Sequence, residues 1–174
     1  MADILDHIFS RRSIRKYTDQ TVSRGDILRL LQAGMAAPSA SNRQPWEFIV
    51  VTVQELLRKL RKGLIFGRYQ APAAIVVCGN MRRAWPGPVR GFWIQDCSAA
   101  AENILLAATG LGLGAVWIGV HPIKLLAKVV SRVLSLPGHV VPLGVIYVGH
   151  PAETKEPRTQ YDEDKVSWQR YGGS

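Results

Sequence analysis

The sequence contains only two cysteines and four histidines among 174 residues. Cys78 lies in an apolar run and Cys97 in a segment of helical character, which is typical of small core residues in a reducing compartment and not of a disulfide framework. The histidines, at positions 7, 121, 139 and 150, have no spacing suited to a metal ion. We therefore predict neither a disulfide bond nor a metal site.

Long apolar runs are also missing. The N-terminus reaches a charged residue after two positions and has no apolar stretch of the kind found in signal peptides. The run Ala71–Gly79 (APAAIVVCG) is far shorter than the roughly 20 residues that a bilayer-spanning helix needs. We expect a cytoplasmic protein with no membrane partner.

Acidic residues are few relative to basic ones. The 22 lysines and arginines outnumber the 13 acids and give a net charge of +9, which favours an anionic partner such as nucleic acid, a membrane surface or a phosphorylated small molecule. The cations are scattered over helices and loops and form no known nucleic-acid motif, so we favour a protein that does not bind nucleic acid. With 47% hydrophobic residues, the chain is long enough to fold as one domain over residues 1–174.

Apolar periodicity alternates between helix and strand along the chain. Helical spacing is found at 2–13, 23–37, 53–63, 91–114 and 122–136, with Ser23 as an N-cap and Pro122 opening the last helix. Runs rich in β-branched residues predict strands at 45–52, 71–80, 115–120 and 140–153. Segment 91–114 is too apolar for an exposed helix, so we expect it to be a buried central helix. The pattern predicts an α+β fold in which helices flank a mixed central sheet.

Two polar segments are candidates for a binding site. RRSIRKY, from Arg11 to Tyr17, surrounds one serine with three arginines and a lysine, and guanidinium groups beside a hydroxyl suit a terminal phosphate. The alternative is a solvated basic helix end. AAPSASNRQPWEF, from Ala36 to Phe48, is a loop rich in hydrogen-bonding groups, although such residues also serve as ordinary turn and cap residues.

One glycine-rich motif is misleading. GLGLGA, from Gly110 to Ala115, has the letters of a dinucleotide-binding loop but follows a helix and precedes a strand. The phosphate-binding fingerprint requires the reverse order, so we predict a loop that ends a helix. The sequence has no Walker A motif, and its Ser, His, Asp and Cys residues form no convincing catalytic set.

Taken together, the segments resemble the FMN-dependent nitroreductase family. RRSIRKY, APSASNRQPWEF, AENILLAATGLGLGAVWIGV, and LGVIYVGHPAE followed by Arg158 occur in the family's order over nearly the whole chain. The resemblance implies a small, single-domain member with a three-layer sandwich fold. It also implies an intertwined homodimer that binds FMN at the subunit interface, with an arm at 151–174 that packs on the core or on the partner.

The resemblance assigns cofactor contacts to particular residues. Those for the FMN phosphate are Arg11, Ser13, Arg15 and Arg158, with Arg12 adding backbone and side-chain contacts. The contacts with the flavin ring and the ribityl chain, made by the same subunit or by its partner, are Pro38, Ser39, Ala40, Ser41, Asn42 and Gln44. Ile118 and Gly119 would lie near the ring's N5 atom, although Gly119 also fits an ordinary strand glycine. Glu156 stands where the family often has a basic residue, which leaves a contact from Lys155 open.

The reaction that the resemblance implies is an NADH- or NADPH-dependent reduction of nitroaromatic, quinone or related oxidised small molecules. Donor and acceptor would bind in turn over one ring face in a ping-pong sequence. We assign no catalytic side chain, because the flavin carries the hydride and electron chemistry. An FMN-binding protein without turnover is the alternative, followed by a basic nucleic-acid-binding protein.

Two further features concern the substrate and the partner subunit. We predict that Gly79–Trp93 is a loop over the flavin. Its Arg83 and Trp85, together with Arg82, Arg90 and Trp93, would contact the substrate. The alternative is a surface connection with solvated arginines. The small residues Ser98–Ala101 would let the central helices of two subunits approach closely. The tail contains Val166, Trp168 and Tyr171, so we expect it to dock.

Overall fold

The order of helices and strands follows the apolar periodicity of the sequence. A computed structural model describes residues 3–173. The helices are α1 (Ile4–Ser10), α2 (Arg24–Met35), α3 (Gln54–Gly63), α4 (Phe92–Gly110) and α5 (Lys124–Leu134). The strands are β1 (Trp46–Val51), β2 (Ala73–Asn80), β3 (Gly114–Gly119) and β4 (Val140–Gly149). Short 3-10 turns occupy Ala40–Asn42, Gly87–Gly91 and Glu163–Lys165.

The four strands form one antiparallel sheet in the order β1-β2-β4-β3. Among the described residues, the only parallel pairing is an isolated bridge between Ser13 and Ala115 at the outer edge of β3. The expected mixture of parallel and antiparallel pairing in the sheet therefore depends on that bridge. β2 is buried along its whole length, because it has a strand on each side and helices over both faces.

Helices cover both faces of the sheet. Successive residues of a strand point to opposite faces, so Ile75 and Val77 join the core beneath α2 and α4, whereas Val76 and Cys78 join the core beneath α3 and α5. The expected three-layer sandwich is confirmed.

α4 is the buried central helix that the sequence predicts. Ala100, Ala101, Ile104 and Ala108 have no exposed surface. A Cβ atom added to Gly34 of α2 would come within 3.0 Å of Ile104, so the lack of a side chain at Gly34 allows the two helices to pack closely. Ala100 and Ala101 are therefore used inside the subunit, which leaves only part of the Ser98–Ala101 stretch available to a second helix.

The structure agrees with the prediction from the sequence at two helix ends and differs from it at a third. Ser23 Oγ accepts a hydrogen bond from the Asp26 N–H at 3.0 Å and caps α2. The motif at Gly110–Ala115 is a helix-ending loop, in which Gly112 has a φ of +69° and β3 follows at once. α5 begins at Lys124, so Pro122 precedes the helix instead of opening it.

The segment expected to be a loop over the flavin is mostly part of regular elements. Gly79 and Asn80 belong to β2, Gly87–Gly91 forms a 3-10 turn, and α4 begins at Phe92. Trp93 is only 5% exposed and packs edge-on against His121, with ring centroids 5.0 Å apart. Trp93 is therefore a core residue, and its expected contact with substrate is wrong.

Both cysteines are free and buried. Burial raises the pKa of Cys78 to about 12 and also raises the pKa of Cys97, so neither thiol is a nucleophile at neutral pH. Across residues 3–173, His, Cys, Asp and Glu side chains form no cluster of three or more that would hold a metal ion. None of the helices in this range has the length and apolarity to cross a membrane.

Candidate functional site

The basic segment after α1 runs along the outer edge of β3. The Ile14 N–H donates to the Ala115 carbonyl at 3.0 Å. The Ile14 side chain covers Gly114, where an added Cβ would approach it to 2.6 Å. Because side chains alternate along an extended chain, Ser13 and Arg15 project to the side opposite Ile14.

The C-terminal tail brings further cations to this segment. The Arg158 N–H donates to the Phe9 carbonyl at 3.1 Å, and the Arg12 guanidinium donates to the Glu156 carbonyl. Lys155 Nζ donates to the Ser13 carbonyl at 2.6 Å. The structure thus brings together the residues predicted for the phosphate, which are Arg11, Arg12, Ser13, Arg15 and Arg158, and it adds Lys155. We refer to these six residues as the cation cluster.

Glu153 organises the cation cluster. Its Oε1 atom accepts hydrogen bonds from the backbone N–H groups of Arg15 at 2.6 Å and Lys16 at 3.3 Å, and it lies 3.3 Å from Lys155 Nζ. The Arg15 N–H, assisted by Lys155, holds the pKa of Glu153 below its usual value. Glu153 is therefore ionised at neutral pH and joins the tail to the basic segment.

The cluster arginines differ in how free their charges are. Arg11 Nε lies 3.5 Å from a carboxylate oxygen of Glu102 on α4. Arg15 has no carboxylate partner for its side chain within residues 3–173. Its guanidinium donates to the Ser13 carbonyl at 3.3 Å and lies 5.9 Å from the centre of the Tyr69 ring. Arg15 thus has a charge that is available to an anion, as do Arg12 and Arg158, which also form no ion pair among the described residues.

β3 connects the cation cluster with the residues predicted to lie near N5. Ile118 and Gly119 follow Ala115 by three and four residues, which corresponds to about 10 to 13 Å along a strand. Gly119 is exposed, and a Cβ added there would meet nothing within 4 Å. Ile118 is 7% exposed and packs against Gly67, so its side chain belongs to the core. The open backbone at Gly119 would allow a flat ring to approach closely.

The loop between α2 and β1 has an unusual backbone. Ser41, Asn42 and Gln44 have φ values of 47°, 52° and 48°, a left-handed region that costs about 1–2 kcal/mol for residues with a side chain. Ser39 Oγ accepts from the Gln44 N–H at 3.0 Å, and the Gln44 side-chain amide donates to Asn42 Oδ1 at 2.8 Å. Pro38 is exposed and Ala40 is half-buried. Backbone strain of this kind clusters at binding sites.

Asp96 of α4 anchors this loop. It is only 7% exposed, and its Oδ1 atom accepts a hydrogen bond from the Ala40 N–H at 2.8 Å. No cation pairs with Asp96 in the described part of the chain. Because a buried carboxylate is costly unless it is hydrogen-bonded, the bond to Ala40 stabilises both Asp96 and the loop.

Arg43 links the same loop to two residues predicted to contact substrate. Its Nε donates to the Arg83 carbonyl at 2.8 Å, and its guanidinium lies 5.4 Å from the centre of the Trp85 ring. A cavity of about 430 Å³ is lined by Ser41, Asn42, Arg43, Arg82 and Arg83. Arg83 and Trp85 therefore lie beside this loop and not beside the cation cluster.

The loop and the cation cluster lie far apart within one subunit. The loop leads into β1 and the cluster borders β3, which are the two outer strands of the sheet. Three strand spacings separate β1 from β3, a distance of about 14 Å. The two groups of residues predicted to contact FMN therefore lie at opposite edges of the sheet.

Apolar side chains near both ends of the chain are exposed. Ile4, Leu5, Ile8 and Phe9 of α1 are 36–62% exposed. The tail docks through the backbone of Glu156 and Arg158, but Val166, Trp168 and Tyr171 are all exposed beyond it. Exposed apolar surface of this extent is typical of an interface with another protein.

Sequence reasoning missed three parts of this site. Glu153 and Asp96 are ordinary acids with no surrounding motif, so their roles depend on contacts that only the fold creates. The third part is Leu64–Gln70, in which Tyr69 lies below Arg15 and Gly67 contacts Ile118. A glycine among aromatic residues, directly after an amphipathic helix, was the available signal for this segment.

Comparisons with known proteins agree with the fold. The sequence matches the Nitroreductase family over residues 8–65 and 66–150. It is 43% identical over 171 residues to a protein of Methanothermobacter thermautotrophicus named "Putative NADH dehydrogenase/NAD(P)H nitroreductase", covering 97% of this chain and 88% of the relative. A crystal structure under the same name from Parabacteroides distasonis has 41% identity and a TM-score of 0.92, covering 98% and 99% of the two chains. An FMN-dependent nitroreductase of Clostridium difficile has 32% identity and a TM-score of 0.86, covering 95% and 99%.

Proposed function

The chain belongs to the nitroreductase family, and from this we propose that it uses bound FMN to pass electrons from NADH or NADPH to nitroaromatic, quinone or related oxidised small molecules. Membership makes it an oxidoreductase that depends on FMN and a nicotinamide nucleotide. FMN supplies the hydride and electron chemistry when bound. The work of the protein is to hold the cofactor, to shape the space over its ring and to select substrates.

The observation that carries the proposal is the cation cluster beside β3. The Ser13 hydroxyl and the Arg15 guanidinium project to one side of the same extended segment, and Arg15 lacks a carboxylate partner among the described residues. Lys155 and Arg158 arrive from the tail. A hydroxyl surrounded by guanidinium and ammonium donors fits the phosphate of FMN. Arg11 and Arg12 complete the site, with the Arg12 side chain holding the tail in place.

The far end of β3 fits the flavin ring. Gly119 presents backbone without a side chain, and the space above it is open. We propose that Ile118 and Gly119 offer backbone groups to the ring edge, and that Phe66, which is 69% exposed on the segment after α3, would border the bound ring. The side chains would orient the ring and exclude water without a proton-transferring group of their own.

We propose that the strained loop reaches the ring from a second subunit. Pro38, Ser39, Ala40, Ser41, Asn42 and Gln44 would then be ring and ribityl contacts in a homodimer, with Arg83 and Trp85 close to the substrate. The separation of β1 from β3 supports this division of the site, and the exposed apolar faces of α1 and the tail support an interface. Residues 1–174 would act as one FMN-binding domain whose arm, 151–174, packs on the core and on the partner.

Subunit complementation tests the shared site. One variant carries Arg15→Ala in the cation cluster, and the other carries Asn42→Ala with Gln44→Ala in the loop. Each homodimer should have little activity, whereas a co-expressed heterodimer isolated through two tags should regain one intact site. Heterodimers as inactive as both parents would contradict a site built from two subunits.

Steady-state kinetics test the order of the reaction. Donor and acceptor that occupy the same space in turn give parallel lines when reciprocal rate is plotted against reciprocal NADH or NADPH concentration at several quinone concentrations. Intersecting lines would show that both substrates bind together, and the proposal of alternate occupancy would then be wrong.

A further inference from the structure

Positive charge is concentrated on the outer layer formed by α3 and α5. Segments 52–70 and 121–139 contain eight of the 22 lysines and arginines but only one of the 13 acids. The cations are Arg58, Lys59, Arg61, Lys62, Arg68, Lys124, Lys128 and Arg132, and the acid is Glu55. Charge that is scattered along the sequence therefore gathers on the face of the sheet opposite α4.

Four of these cations surround one cavity. A shallow cavity of about 300 Å³, open to solvent, lies between α3 and the segment that follows it, and its lining consists of Arg58, Arg61, Lys62, Arg68 and Gln70. None of the four cations forms an ion pair within residues 3–173, whereas Lys59 on the same helix lies 2.8 Å from a carboxylate oxygen of Glu55.

The cavity is distinct from the proposed FMN site. Arg68 and Gln70 line it, whereas Tyr69 between them lies beneath Arg15 of the cation cluster. Leu64–Gln70 therefore separates the two basic regions, with one on each side. One acid, Asp19, lines a neighbouring cavity that shares Arg61 and Gln70 with this one.

We propose that this cavity binds a phosphorylated small molecule through a phosphate or diphosphate group carrying at least two negative charges. Like charges gathered around a concave surface repel one another, and an anion converts that repulsion into attraction. Guanidinium groups of Arg58, Arg61 and Arg68 offer paired donors that match phosphate oxygens. Gln70 adds a neutral donor. The site does not depend on bound flavin or on the reaction proposed above.

The lining of the cavity comes from α3 and the segment after it and contains no residue of α5, which suits a small anion. A nucleic acid or a lipid surface would contact α5 as well as α3, and its affinity would depend on Lys124 and Lys128 as much as on the cavity. A small anion would depend on the cavity residues alone. The two kinds of ligand therefore predict different responses to substitutions on the two helices.

Calorimetric titration with pyrophosphate tests the proposal. The FMN-saturated protein is used at low ionic strength, so that the flavin phosphate already fills the cation cluster and screening is weak. We expect saturable binding of one pyrophosphate per subunit. Arg58→Gln with Lys62→Gln should weaken it by about tenfold or more, the effect of losing a charge-assisted hydrogen bond.

The matched control is Lys124→Gln with Lys128→Gln, which removes the same charge from the same layer outside the cavity. We expect a loss of less than about threefold, because long-range attraction between exposed charges is small. The flavin spectrum and thermal midpoint should stay at wild-type values in both double variants. Lack of saturable binding to the wild-type protein would overturn the proposal, as would equal losses in the two variants. If pyrophosphate does not bind but an oligonucleotide or anionic vesicles do, the basic face would bind a macromolecule instead.

Discussion

Replacing Arg15 by alanine should separate the affinity for FMN from the affinity for riboflavin. The Arg15 guanidinium lies beside the Ser13 carbonyl and the Tyr69 ring and has no carboxylate partner in the described chain. Its charge-assisted hydrogen bond to a phosphate is worth about 1.5–3 kcal/mol, so the Kd for FMN should rise by about 10- to 150-fold. Riboflavin carries no phosphate, and its Kd should change by less than about threefold.

Titration of the flavin-free protein with each ligand, followed by flavin fluorescence, measures both constants. Lys16→Ala is the matched control, because it removes the same charge from the adjacent residue. Lys16 lies on the opposite side of the extended segment from Ser13 and Arg15, and its contact with Glu153 uses only its backbone N–H. We expect Lys16→Ala to change either Kd by less than about threefold. Equal losses of FMN and riboflavin in Arg15→Ala, or an equal effect of Lys16→Ala, would refute the phosphate assignment.

Four further predictions follow from individual contacts. Glu102→Gln frees Arg11 from its ion pair and should tighten FMN by up to about fivefold; weaker binding in the same titration would contradict this. Glu153 has a folded-state pKa below its ordinary value of 4.5, so its stabilisation is present above that pH and is lost as pH falls through the lower folded value. Thermal midpoints of wild type and Glu153→Gln should therefore converge from about pH 6 to pH 3, and a constant gap would count against the role of Glu153. Trp85→Ala should raise the KM for donor or acceptor with unchanged FMN affinity, and two unchanged KM values would remove Trp85 from the substrate site. Gly119→Val should weaken FMN while leaving the flavin-free thermal midpoint nearly unchanged, because nothing lies within 4 Å of an added Cβ; unaltered FMN binding would place the ring elsewhere.

Most of the fold could be predicted because local patterns and tertiary packing agree. The sequence of β2 is an unbroken apolar run because both faces of this strand are covered. The sequence of α4 is apolar on all sides because this helix lies at the centre of one layer. The N-cap at Ser23 and the loop around Gly112 also follow from local backbone chemistry. Trp93 was misassigned because its segment is rich in Gly and Pro, although α4 begins there.

The candidate site was less accessible to sequence reasoning, because its parts meet only through the fold. RRSIRKY is contiguous and could be found, but Glu153 and Lys155 reach it through a tail that begins more than a hundred residues later. Asp96 contacts Ala40 only because α4 passes beneath the loop. The strained φ values at Ser41, Asn42 and Gln44 are likewise invisible in a string of ordinary polar residues.

The visible absorption spectrum of the purified protein, recorded without oxygen before and after addition of NADH or NADPH, tests the central claim most directly. We predict a flavin spectrum from one FMN per subunit, which is lost when NADH or NADPH is added and returns when a quinone or nitroaromatic compound follows. A protein that binds no FMN would contradict the account. So would a bound flavin whose spectrum neither nucleotide changes, because the protein would then hold the cofactor without turning over.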